Sequence, residues 1–183
     1  MLKRVQWVDN SVLNVRLRDN LFTLAQMRKN HLLEFFDISN SGEWKAVDLN
    51  ATRVLFTIYV AENRLRPLFA ERLPSSKVKP NDRPVERRML SFIVKPGNIY
   101  GVDLVELTDS LSSVEAKTIK ADLSPVADLE SIHRYELTGM VGDPEKLRAR
   151  LIRYFDDRIN WDESKSFLYP GIATPAPRPL RDA

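Results

Sequence analysis

His31 and His133 are the only two histidines in this 183-residue chain. A Ser-His-Asp triad or a His-based metal centre would have to use one of them. Neither stands in an HExxH, GxSxG or HxE context, so both read as ordinary surface or half-buried residues. Asp156 and Asp157 are adjacent, and neighbours on a helix point different ways, which makes them a poor acid-base pair. Asp122, Asp128 and Glu130 lie in a polar segment and read as solvated charge, because glycosidase chemistry needs two carboxyls facing across a cleft. Phosphate cradles need glycine, and the chain has only six. The nearest pattern, Gly139-Met140-Val141-Gly142, runs into Asp143, whose charge would repel a phosphate. It reads as a turn before a capped helix. There is no cysteine, so disulfides, thiolate nucleophiles and sulfur-bound zinc are excluded. No catalytic residue, metal ligand or cofactor site is expected, and the chain reads as a non-enzyme.

What remains is charge on the surface. Residues 62–96 are rich in proline and locally basic, with Arg83, Arg87 and Arg88 gathered around Pro84. They suit a solvated loop or a partner surface. Phe69 and Phe92 stand alone there, without the interleaved aromatics of a nucleic-acid stacking platform. Asp103, Glu106, Asp109 and Glu115 belong to an acid-rich stretch that continues through Asp122, Asp128, Glu130 and Glu136. If these share a face, it would suit a basic partner. The two stretches are therefore alternative docking faces.

The elements that must position these residues are mostly strands. Leu13, Val15 and Leu17 alternate with Asn14, Arg16 and Arg18, the period of a half-buried strand. Val12 to Ile38 reads as three strands joined at Asp19-Asn20 and Lys29-Asn30, with Asn tolerating positive φ. Arg53 to Ala61 is apolar on both parities and reads as a central strand. An edge strand is expected near Met89 to Val94, another strand over Tyr100 to Leu107, and a last one over Arg134 to Gly139. Short pieces are expected at Leu65 to Leu73 and Thr118 to Leu123, and a helical turn from Ser124 and Pro125. The clearest helix starts at Asp143, with Pro144 at its first position and Leu147, Leu151, Tyr154 and Phe155 on one stripe. Phe22, Phe35, Phe36, Trp44, Phe56 and Tyr59 read as core. Trp161, Phe167, Leu168 and Tyr169 read as an extended arm over it.

Composition sets the bounds. Hydrophobic residues make up 43% and charged residues 29%, with a net charge of +3, as in ordinary soluble domains. No stretch approaches the ~20 apolar residues of a membrane span, and the start lacks the apolar run of a secretory signal. A cytoplasmic protein is expected, with one globular domain over 1–170 and a disordered tail over 171–183.

The opening Trp7 to Ile38 resembles the immunity protein 26 family of bacterial polymorphic toxin systems. The matching residues are Phe22-Thr23-Leu24-Ala25-Gln26 and Phe35-Phe36-Asp37, with further likeness in LFTIYVAENRL, HRYELTGM and NWDESK. The glycine often found in the first family turn is Asn20 here, which would have to adopt positive φ. The resemblance implies a mainly β antidote that binds a cognate toxin domain, such as a nuclease, and occludes its active site. The combined expectation is an α+β, mainly β fold: a bent antiparallel sheet or partly open barrel with a C-terminal helix packed on it. A nucleic-acid-binding β-barrel module is the alternative; a membrane partner is not expected.

Overall fold

The computed structural model describes residues 4–96 and 99–179. The fold is mainly β, with 34% strand against 21% helix, and among the described residues no sheet closes into a barrel. The chain forms two compact units, Met1–Glu86 with Met140–Arg148, and Arg87–Gly139 with Ala149–Ala183.

The first unit is built on β1 (Val12–Arg18), β2 (Leu21–Met27), β3 (Leu32–Asn40), β5 (Val54–Tyr59) and β6 (Phe69–Leu73), in the order β5-β3-β2-β1-β6, every neighbouring pair antiparallel. The opening meander thus forms as its period predicts. Asn30 and His31 take the left-handed conformation in the second turn, at φ 56° and 59°. Asn20 is not among the positive-φ residues of the chain. A register shift lies in the first hairpin between Arg16 and Arg18, so that hairpin departs from the regular turn expected for it.

One sheet face carries the cluster of Val12, Leu24, Phe36, Trp44, Leu49, Leu73 and Val78. Two short strands, β4 (Val47–Asp48) and β7 (Val78–Lys79), pair in parallel in the segments that supply Trp44, Leu49 and Val78 to this cluster. β5 is buried along most of its length but stands last in the sheet order, not at its centre. The physical reason is local cover. Val141 N donates to Tyr59 O and Ala61 N to Val141 O, so the chain around Val141 shields the end of that edge. Gly142 has a packing role there: a Cβ would meet Arg64 Cδ at 3.0 Å and Ala61 Cβ at 3.3 Å. Helix α1 (Glu62–Leu65) follows β5.

The second unit holds β8 (Arg88–Lys95), β9 (Ile99–Glu106) and β10 (Lys117–Lys120), antiparallel in the order β10-β9-β8. Its core gathers Leu90, Val102, Leu104, Leu123, Ile132, Tyr135, Trp161 and Tyr169. Helix α2 (Leu129–Arg134) supplies Ile132, and α4 (Glu163–Leu168) lies between Trp161 and Tyr169. The segment expected to be an extended arm is therefore partly helical. Asp162 starts it by accepting from Ser164 N at 2.9 Å, an N-cap that the sequence Asp-Glu-Ser-Lys carried. Phe167 is exposed, so it does not cover a core. The strand expected over Arg134 to Gly139 shrinks to one parallel bridge, Leu90 with Leu137.

Helix α3 (Pro144–Asp157) appears where its signals place it, with Asp143 Oδ1 accepting from Glu145 N at 3.0 Å and Lys146 N at 3.1 Å. Its residues through Arg148 belong to the first unit and the rest to the second. Residues 62–96, read from sequence as an excursion, supply α1, β6 and β7 to the first unit and β8 to the second. Of the tail expected over 171–183, residues 180–183 lie outside the described residues. Earlier in it, His133 Nε2 lies 2.8 Å from Ala173 O and Arg178 N donates to Arg158 O at 3.0 Å.

Candidate partner-binding face

The basic and acidic stretches meet as neighbours in one sheet. Antiparallel pairing sets Arg88 of β8 opposite Glu106 of β9, and Glu106 in turn opposite Lys117 of β10. Just beyond the strands, Arg87 Nη1 lies 2.9 Å from Asp109 Oδ1, and Arg87 Nε donates to Leu107 O at 2.7 Å. Two alternative charged faces thus become one ridge whose charges largely cancel. The acidic residues do not share a face either. Asp103 and Glu106 are three apart on a strand of period two, so they point to opposite sides. Asp103 Oδ1 accepts from Asp122 N at 2.8 Å. Glu115 Oε2 accepts from Ser110 Oγ at 2.8 Å and Thr108 Oγ1 at 3.2 Å, closing its own loop.

Arg83, in the first unit, is a loop clamp. Its guanidinium donates to Asn81 Oδ1 at 2.7 Å, to Leu49 O at 3.0 Å and to Thr52 O. Around it lies a buried polar network with Glu34 at its centre, only 1% exposed. Asn81 Nδ2 donates to Glu34 Oε2 at 2.9 Å, Arg28 Nε stands 3.9 Å from the same oxygen, and Gln26 bonds both ways with the Asn81 backbone. Burial pushes the Glu34 carboxyl above its ordinary 4.5, against the pull of Asn81, Arg28 and Arg83. This network fastens residues 81–83 to the sheet.

A second buried set lies in the second unit. Glu136 Oε1 is 2.6 Å from Arg150 Nη2, and Lys165 Nζ donates to Tyr135 O at 2.7 Å beneath the Trp161 ring. Burial works to raise Glu136, yet Arg150 and Lys165 together hold it below its ordinary range. Burial also lowers Lys165. Both residues are enclosed, so they order the core rather than meet a substrate. His31 Nδ1 pairs with Glu62 Oε2 at 3.2 Å beside Trp7, and His133 packs edge-on to Trp161. His133 also borders a shallow groove of about 170 Å³ with Glu130, Arg134 and Arg178, a mixed-charge lining.

The feature left without internal use is aromatic. On β8, Arg88, Leu90, Phe92 and Val94 point to one side, opposite Glu106, Leu104, Val102 and Tyr100 of β9. Along this side a charged row gives way to the buried Leu90–Leu104 row, then to Phe92 beside the buried Val102, and then to open side chains. Phe92 and Tyr100 are each 46% exposed, Val94 58% and Phe167 of α4 69%. The rings run in series, Phe92 to Tyr100 at 5.4 Å and Tyr100 to Phe167 at 5.7 Å. Isolated exposed apolar residues are common, but several in contact mark an interaction surface. The alternation of β8 and β9 could have found Phe92 and Tyr100. Nothing in the sequence marked Phe167, which stands 67 residues beyond Tyr100 and joins them only in the fold.

No helix among the described residues is long and apolar enough to cross a membrane. No curated protein and no solved structure matches this chain. Residues 2–174 match the model of a family described as a domain of unknown function, DUF8309, and the chain belongs to that family.

Proposed function

We propose that this chain is a binding protein that neutralises a cognate toxin domain by docking on it through the Phe92–Tyr100–Phe167 face. The observation that carries the docking face is the run of three exposed rings in series, Phe92 against Tyr100 and Tyr100 against Phe167, on one side of the second unit. Exposed aromatics supply large contact area and dominate the energetics of protein interfaces. The toxin as partner rests on the resemblance to immunity proteins, and a cytoplasmic site of action goes with it. The charged ridge of Arg87, Arg88, Glu106 and Asp109 lies beyond the buried Leu90–Leu104 row, where mixed charge sets register more than affinity.

The test is co-purification with the toxin domain encoded by the adjacent gene, followed by binding measurements on Phe167→Ser and Tyr100→Ser. Each substitution is expected to weaken the complex by roughly 30-fold, the scale of an interface hot spot. Charge reversal at Glu106 or Asp109 should change affinity less. An adjacent gene for an unrelated enzyme, or a complex indifferent to both serine variants, would sink the proposal. The second reading, single-stranded nucleic acid stacked on the same rings, draws on the ring series alone. It predicts oligonucleotide binding at low salt that fades as salt rises.

A further inference from the structure

The sheet of the second unit is open along part of one edge. At Leu90 the edge is taken: Leu90 N donates to Glu136 O at 2.8 Å and Leu90 O accepts from Thr138 N at 2.9 Å. The chain then bends away at Thr138 and Gly139. In an antiparallel pair, alternate residues send their main-chain groups toward the partner strand and the others away from it. Leu90 faces outward, so Phe92 and Val94, at the next two outward positions, also present N–H and C=O to the open edge. Among the described residues no main-chain partner meets them. The same two residues carry exposed apolar side chains beside Tyr100 and Phe167. Unmet hydrogen-bonding groups and an uncovered apolar platform therefore coincide at one place.

We propose that this edge is a strand-addition site, taking an extended segment of a partner protein that is apolar at every second residue. The inference rests on the docking face proposed above and names how that face is read. The partner segment bonds to the main chain of Phe92 and Val94, continuing the edge that Leu137 begins. Its alternate side chains lie against Phe92, Val94 and the Tyr100–Phe167 rings. Main-chain bonds then supply affinity and the platform supplies selectivity. A helix would satisfy its own backbone and leave the edge groups unmet. A second copy of this chain fits poorly. Two-fold antiparallel pairing over Phe92 to Val94 would set Pro96 of one copy opposite Leu90 of the other, where Glu136 to Thr138 already sits.

The experiment selects short random peptides displayed on phage against the intact chain, then synthesises the best binder. The expected winners are apolar at alternate positions. Their affinity should fall about tenfold when the edge-facing peptide amides are N-methylated, as the loss of one or two hydrogen bonds implies. Val94→Pro should cause a similar loss, since that N–H faces outward and proline is tolerated at a sheet edge. If Val94→Pro fails to fold, the N-methylated peptide still decides. Winners with helical spacing that need Phe167 and Tyr100 would overturn strand addition while leaving the docking face standing. Winners indifferent to Phe167→Ser and Tyr100→Ser would overturn both. No winner at all, or a self-dimer that Val94→Pro dissolves, would overturn strand addition.

Discussion

Replacing Arg150 by Met should destabilise the protein by about 3 kcal/mol at neutral pH, the lower end of the range for breaking a buried ion pair. Arg150 and Glu136 are both buried, and their contact at 2.6 Å is a charge-assisted hydrogen bond. Methionine keeps most of the aliphatic packing, so the loss falls on charge. Glu136 would keep Lys165 as its remaining cation, which is why the lower end applies. Arg150 also donates to Asn160 Oδ1 at 2.9 Å, but Asn160 is half-buried and water can replace that donor. Urea unfolding followed by the fluorescence of Trp161, in the core of the same unit, reads the effect. At an m-value of about 2 kcal/mol per molar urea, the midpoint drops by roughly 1.5 M. The sign with pH follows from Glu136. Its carboxyl is held below 4.5 in the folded protein, so the pair's stabilisation is present above 4.5 and is lost as pH falls through the depressed value. In the variant, burial acts with one cation fewer to oppose it, and the carboxyl titrates higher. The gap between the two proteins therefore closes on acidification. The double variant Glu136→Gln with Arg150→Met should be less damaged than Arg150→Met alone, because no bare carboxylate remains. A single variant within 1 kcal/mol of the parent, or a penalty that ignores pH, would refute the reasoning.

Three further outcomes are expected. Glu34→Gln should gain stability relative to the parent as pH rises, since the raised Glu34 carboxyl contributes stability below 4.5 that is lost as pH climbs through its folded value; urea midpoints across pH check it, and a constant difference would contradict it. Trp44→Phe should cost about 2 kcal/mol, because Trp44 Nε1 donates to the buried Asn14 Oδ1 at 2.9 Å and phenylalanine leaves that oxygen bare; thermal or urea unfolding of the variant reads it. Tyr169 should ionise late, its hydroxyl pushed up to about 12 by burial and by Asp122, Asp128 and Asp103. The stability it contributes is full below about 10 and lost as pH rises toward 12, and loss of the slow tyrosinate step in Tyr169→Phe identifies it by ultraviolet titration.

Much of the local structure was legible because it follows from neighbours in sequence. Alternation at Leu13, Val15 and Leu17 and the Asp143-Pro144 cap mark β1 and α3 by period and capping alone. The same reasoning misplaced β5, since an apolar run on both parities reports burial without saying whether another strand or a passing loop provides it. It split Arg87 and Arg88 from Glu106 and Asp109, because cross-strand partners about 20 residues apart depend on register. It also read Phe92 as isolated and Phe167 as covering a core. Side-chain type is the same for a buried ring and an exposed one; what differs is whether another element arrives to cover it.

Local chemistry therefore determined, from sequence alone, a β-rich chain without thiol chemistry, a capped helix near its end and a meander at its start. Tertiary structure decided the uses of its charged and aromatic side chains. It buried Glu34 and Glu136 against arginines, turned Arg83 into a clamp, and cancelled Arg87 against Asp109. It left Phe92, Tyr100 and Phe167 in contact and open to solvent. The physical reason is range. Period and capping act over one turn or a few strand positions, whereas pairing, burial and exposure are set by contacts between residues dozens of positions apart.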